Sequence, residues 1–181
     1  FFSKDIKPYD FKDFQSTEKQ MVNKYLYIYL LNDKQIKNIL YYIFNEQFRE
    51  YITNITGFDY SIDYLIMYDR KYIEPENRER NTLEQWYSYK WHLDKPNSNN
   101  TLKIIYPLNI TLEHGPLTVI DSKNTKSIKN PDLLAMDSAG FKFTGELDKI
   151  HGFFPARCIH KDGIPNYGET ATQIMFQLNP N

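Results

Sequence analysis

Behind Asp33, apolar side chains recur at helical spacing as Ile36, Ile39, Leu40, Ile43, Phe44 and Phe48. The pattern predicts a helix over about 34–50, with Asp33 as N-cap and one apolar face laid on a sheet. Upstream, residues 1–31 are mixed and rich in aromatics and Lys, and 21–30 fits strand or helix equally. Gly57 breaks the pattern, and 60–68 then reads as a strand that is bulky throughout. The polar run 69–82, containing Glu74-Pro-Glu-Asn-Arg-Glu-Arg80, reads as a solvated loop able to act as a mobile flap.

From Leu83 onward the texture changes. Short strands are expected near 86–93, 101–110, 116–121, 141–147, 152–159 and 170–178. Turn-forming runs at 96–100, His114-Gly-Pro116, 122–131 and 162–166 separate them. Many short strands at this spacing indicate a mainly β protein with flanking helices, a β-sandwich or jelly roll. The expected layout is one domain over 1–181, with a flanking helix/strand region and flap at 1–82 and a jelly-roll core at 83–181.

Composition narrows the function classes. The 181 residues suffice for one sizeable core. The 22 basic and 23 acidic residues are spread evenly, for a net charge of −1, with no basic stripe for nucleic acid or an anionic membrane. No apolar run approaches the roughly 20 residues that cross a bilayer. A single cysteine, Cys158, excludes an internal disulfide framework and points to a reducing, cytoplasmic setting. No secretory signal is expected within the numbered chain, and its start at Phe1-Phe2 suggests preceding residues.

The candidate chemistry starts at Tyr89-Lys-Trp-His-Leu-Asp94. Two side chains two residues apart on a strand share a face, so His92 and Asp94 can reach one metal ion together. A second histidine from a distant strand would complete a 2-His-1-carboxylate site. His160, in Arg157-Cys-Ile-His-Lys-Asp-Gly163 at a strand end, is the natural third ligand. His151 and His114 read as turn or surface residues, and Cys158 as a small buried hydrophobe. On these residues alone, an exposed His and Asp that bind nothing remain an alternative.

Order adds to spacing. Trp91-His-Leu-Asp94, Leu102-Lys-Ile-Ile-Tyr-Pro-Leu108, Gly115-Pro-Leu-Thr-Val-Ile120, and Cys158-Ile-His-Lys161 with Pro165 and Gly168 follow one another. This series resembles the phytanoyl-CoA dioxygenase-like branch of the iron(II)/2-oxoglutarate oxygenases, over roughly residues 86–178. The resemblance implies a double-stranded β-helix (a cupin-like jelly roll) holding Fe(II) with His92, Asp94 and His160. It implies 2-oxoglutarate chelated through its keto and C1-carboxylate oxygens, with O2 in the last position. Oxidative decarboxylation to succinate and CO2 would be coupled to hydroxylation of a small organic molecule. Two imidazoles and one carboxylate leave three adjacent positions open for this, which a closed structural site does not. Asp94 argues against the halogenating relatives, in which halide takes the carboxylate's place.

One departure stands out. The family meets the co-substrate's far carboxylate with an Arg about ten residues after the second His, and this chain has Thr170 there. A buried carboxylate without a cationic partner is costly. Lys103, between Leu102 and Ile104, is the expected substitute, with hydroxyls of Tyr89, Thr170 and Thr172 assisting. Arg157 is a second candidate, but its parity is opposite to that of His160. Trp86, Tyr87, Tyr89 and Trp91 either line the substrate pocket or pack. Two rivals follow: a jelly-roll metal enzyme that does not use 2-oxoglutarate, and a non-catalytic binding module on a decayed oxygenase fold.

Overall fold

A computed structural model of the chain describes residues 1–78, 89–94, 97–127 and 133–181. Period-two alternation of apolar residues is strongest in the long strands, and these form the centre of the molecule. The strands are β1 (Phe2–Asp5), β2 (Lys19–Asn23), β3 (Leu26–Tyr29), β4 (Tyr60–Lys71) and β5 (Leu102–Pro107). They continue as β6 (Leu117–Val119), β7 (Phe141–Phe143), β8 (Lys149–Phe153), β9 (His160–Lys161) and β10 (Thr170–Pro180). A seven-stranded sheet runs β1-β8-β5-β10-β4-β3-β2 and a three-stranded sheet runs β7-β6-β9. From β5 onward the chain crosses from the large sheet to the small one and back, which winds the antiparallel strands into a jelly roll.

β10 shows how side-chain parity builds two cores. Ile174, Phe176 and Leu178 face the helices, packing with Met67, Leu102, Ile104, Tyr106, Ile39, Ile43, Phe48 and Ile52. Ala171, Gln173 and Met175 point between the sheets, where Ile105, Leu117, Val119, Phe143, Phe153 and Cys158 form the inner core. Each fully buried Ile, Leu or Phe contributes about 1.5–3 kcal/mol.

Several boundaries differ from expectation. The helix expected over 34–50 is two helices, α1 (Asp33–Ile43) and α2 (Glu46–Thr56). Asn32 rather than Asp33 caps α1: its Oδ1 accepts from the Gln35 amide, and Gln35 Oε1 accepts from the Asn32 amide, both at 3.0 Å. Asn45 then restarts the helix, its Oδ1 accepting from the Phe48 amide at 3.0 Å. The apolar period runs through the break because both helices cover one sheet.

The segment 21–30 resolves into a hairpin of β2 and β3. β4 extends to Lys71 and lies within the large sheet, paired along its length with β10, rather than flanking the barrel. Residues 75–78 form a short helix α3 (Pro75–Arg78) where only loop was expected. Further helices, α4 (Ser122–Ser127) and α5 (Leu133–Ala139), stand in the region expected as loop. The strand expected over 152–159 ends at Phe153. A turn follows, in which the Arg157 and Cys158 amides bond the Phe154 carbonyl. Residues 86–88 of the first expected strand, and 79–82 of the expected flap, lie outside the described residues; 89–93 form no strand, and only His92 pairs, in a single bridge to His160.

His151 is not a surface residue: it is 2 % exposed, on β8. Its Nε2 lies 2.8 Å from the Thr144 carbonyl, which can only accept, so that nitrogen carries the proton. Nδ1 then accepts from the Ser3 hydroxyl at 2.7 Å, tying β1 to the barrel, and the ring stacks on Phe143. Glycine is required where the turn after Thr111 meets the segment after β9. Gly115 has φ of 62°, and a Cβ there would sit 2.4 Å from the Ile164 carbonyl carbon. Gly163 faces it across the same contact.

Candidate active site

Backbone pairing brings the two ends of the site together. His92 and His160 exchange amide-to-carbonyl bonds at 2.9 and 3.0 Å, and the Asp94 amide bonds the Pro155 carbonyl at 3.0 Å. Each imidazole then bonds the carbonyl two residues before it: Nδ1 of His92 to Lys90 at 2.8 Å, Nδ1 of His160 to Cys158 at 2.9 Å. A carbonyl only accepts, so each Nδ1 is protonated and each Nε2 lone pair is left for a ligand. These Nε2 atoms lie 3.3 and 3.6 Å from Asp94 Oδ1. The three donor groups fall within 4.8 Å of one another, the one cluster of this kind among the described residues.

Electrostatics hold Asp94 ionised. Burial pushes its carboxyl up, but the adjacent His160 and His92 rings and the Lys103 ammonium outweigh that and keep it far below the usual carboxylate range. Burial alone would lower the His92 pKa, yet the neighbouring Asp94 carboxylate and the Lys90 carbonyl leave it raised. Lys103 Nζ donates to Asp94 Oδ2, the oxygen turned away from the histidines.

The triad opens on a cavity of about 680 Å³. Its walls carry Ile66, Ile105, Leu117, Phe153 and Met175, an apolar lining beside the triad, where the His92 side chain is about one-third exposed. Tyr68, Asp162 and Gln173 add polar groups to the lining. Behind them lies Arg70, fully buried, with Nη1 donating to the Gly163 carbonyl at 2.8 Å and Nη2 to Gln173 Oε1 at 3.2 Å. Asp162 Oδ1 is 3.3 Å from Nη1. Gln173 in turn donates to the Tyr68 hydroxyl, and burial raises that phenol's pKa far above its ordinary value.

Of the residues singled out in the sequence, His92, Asp94, His160 and Lys103 meet at this cavity. Thr170 and Thr172 do not. They share the β10 face of Ile174 and Phe176, which turns to the helices; Thr172 donates to Asp69 at 2.7 Å, and the Thr170 carbonyl accepts from Asn109. The Tyr89 hydroxyl donates to the Arg78 carbonyl, away from the cavity wall. Arg157 stacks over Phe154, and Trp91 packs under Lys161 Nζ. Trp86 and Tyr87 lie outside the described residues. Burial raises the Cys158 thiol, and the residue is inner core. His114 is a turn residue, its Nε2 3.3 Å from Glu169.

Sequence reading missed Tyr68, Arg70, Asp162 and Gln173. The one available signal was the even parity of Tyr64, Ile66, Tyr68 and Arg70 along β4.

No family model matches the chain, and no curated protein matches it. Solved structures do resemble it. An oxidoreductase of the 2OG-Fe(II) oxygenase family from Burkholderia pseudomallei aligns with TM-score 0.59 at 11 % identity, over 92 % of this chain and 73 % of that one. The non-heme alpha ketoglutarate dependent epimerase SnoN from nogalamycin biosynthesis gives 0.52 at 13 %, over 86 % of this chain and 61 % of its own. EvdMO1 gives 0.50 at 15 %, over 92 % of this chain and 39 % of its own. The chain has the jelly-roll fold of 2-oxoglutarate oxygenases, and its His-Asp-His cluster fits their facial triad. These likenesses are of the fold at large and do not single out the phytanoyl-CoA branch.

Proposed function

We propose that the chain is an Fe(II)- and 2-oxoglutarate-dependent oxygenase that hydroxylates a small organic molecule. One observation carries this reading: two Nε2 lone pairs and one carboxylate oxygen converge at the head of an apolar cavity. That donor set suits Fe(II), with His92, Asp94 and His160 as its ligands. Held there, iron and 2-oxoglutarate would activate O2, the oxidant, for attack on an unactivated C–H, with the co-substrate giving up two electrons as it decarboxylates.

The chain's own residues orient and shield. The Lys90 and Cys158 carbonyls fix the ring planes of the two histidines. Lys103 occupies Asp94 Oδ2 and leaves Oδ1 to face the histidines, favouring one-oxygen ligation. The apolar wall offers an apolar substrate a seat beside the ligands. Engagement of Lys103 by Asp94 also supports the rival without 2-oxoglutarate, because the expected cationic anchor already has a partner.

Anaerobic addition of Fe(II) and then 2-oxoglutarate tests both readings through the visible charge-transfer band of the chelate. The wild type should develop the band. His160→Ala should lose it and bind Fe(II) more than about 100-fold more weakly, beyond the loss typical of outer-shell changes. Iron bound tightly with no band would favour the rival. Weak iron binding unaffected by His160→Ala would sink the metal site itself.

A further inference from the structure

The cavity lining holds a hydrogen-bond donor and an acceptor that the protein leaves open. Gln173 lies between Arg70 and Tyr68, and its amide can point only one way. Arg70 Nη2, which only donates, bonds Gln173 Oε1 at 3.2 Å, so the amide nitrogen is the side turned to Tyr68. The Tyr68 oxygen therefore accepts that bond and keeps its own proton, for which the described residues offer no acceptor. Burial holds the phenol protonated, so the donor persists at neutral pH.

Asp162 supplies the acceptor. Its Oδ1 stands 3.3 Å from Arg70 Nη1, and Oδ2 meets no donor among the described residues. The side chain is 15 % exposed and lines the cavity together with Tyr68. The two are not bonded to each other, yet the charge of Asp162 acts on the phenol and on His92. Donor and acceptor thus stand near one another and near the triad, in a largely apolar lining.

This pair decides what can sit between them. A carboxylate only accepts, and it would face the like charge of Asp162. An ammonium only donates, which strands the Tyr68 proton, and Asp162 already has a cation beside it in Arg70. An ether meets Tyr68 alone. A hydroxyl both donates and accepts, so it satisfies both atoms at once.

We propose that Asp162 and Tyr68 form a subsite for a hydroxyl group on an otherwise apolar substrate, the hydroxyl donating to Asp162 Oδ2 and accepting from the Tyr68 O–H. Calling that molecule a substrate rests on the oxygenase reading above; its binding does not.

The test is calorimetric titration of the full chain, with no metal added, against four probes that share one compact apolar body: adamantanol, its methyl ether, adamantylammonium and adamantanecarboxylate. Wild type should bind the alcohol about 10-fold or more tightly than the ether, the factor expected of one bond to a charged group, and more tightly than either ion. Tyr68→Phe should weaken the alcohol by about 5-fold or more and leave the ammonium unchanged. Asp162→Asn should let the carboxylate bind about 10-fold more tightly, a gain that misfolding cannot imitate. An ammonium that binds tightest would make Asp162 a cation site and overturn the proposal. So would alcohol binding unchanged in Tyr68→Phe, or a carboxylate still excluded from Asp162→Asn. Because no metal enters the titration, a missing charge-transfer band would sink the oxygenase reading and leave the subsite standing. Four equal affinities, or none measurable, would sink the subsite and leave that reading standing.

Discussion

Burial drives the His151 imidazole toward its neutral form, and its two hydrogen bonds require that form. Its folded pKa lies below the ordinary value of 6.5, so the unfolded chain takes up the proton more readily. The stability this ring confers is complete above about pH 6.5 and is lost as pH falls through the folded value. Denaturation midpoints at about pH 7.5 and 5.5 should therefore show a larger acid loss in wild type than in His151→Gln. Equal losses would clear His151 of that role. His92, whose pKa is raised, acts in the opposite sense, so the difference between variants is the informative quantity.

The same scale shows what a sequence conceals. That His92, Asp94 and His160 meet was legible from the two-residue spacing, although 89–94 holds only a bridge at His92 and not the strand expected there. Arg70 was not. It stands in the charged run Asp69-Arg70-Lys71, which looks like a strand leaving the core. Only the pairing of β4 with β10 separates the three: Asp69 bonds Lys19 and Thr172 on the helix side, whereas Arg70 turns inward.

Among the elements, the helix pair shows the limit of periodicity. A stripe of apolar residues records which face is buried and says nothing of whether the backbone is continuous beneath it. The break depends on Asn45, whose side chain bonds the Phe48 amide. Asn45→Ala should cost about 1 kcal/mol in chemical denaturation, the usual loss for a removed N-cap. An unchanged midpoint would mean that packing of Phe48 and Ile52 alone sets the start of α2. On β10 the alternation correctly put Ile174, Phe176 and Leu178 in the core. That same alternation removes Thr170 and Thr172 from the cavity, since they share that face.

In the molecule as a whole, the division expected at 82 and 83 places the barrel entirely in the later half, whereas β4 supplies a central strand of the large sheet and β1 pairs with β8. The large sheet does not begin at that boundary. Beside the small sheet, the backbone at Gly115, just before β6, packs directly on Gly163 and Ile164, just after β9. Gly115→Ala places a methyl against backbone at a positive φ and should destabilise the fold by about 2 kcal/mol or more. It should also weaken Fe(II) binding, because the displaced segment adjoins His160 and Asp162. Intact iron affinity in a destabilised variant would show that the contact braces the barrel without bracing the site.

The backbone bonds between His92 and His160, and from Asp94 to Pro155, tie the proposed ligands to the frame of the barrel. A site framed in this way does not choose its metal by folding around it. Its two imidazoles and one carboxylate follow the general order in which copper and zinc outbid ferrous iron. Selection therefore falls to supply: which ion the finished barrel meets first, and how scarce its surroundings keep the tighter binders.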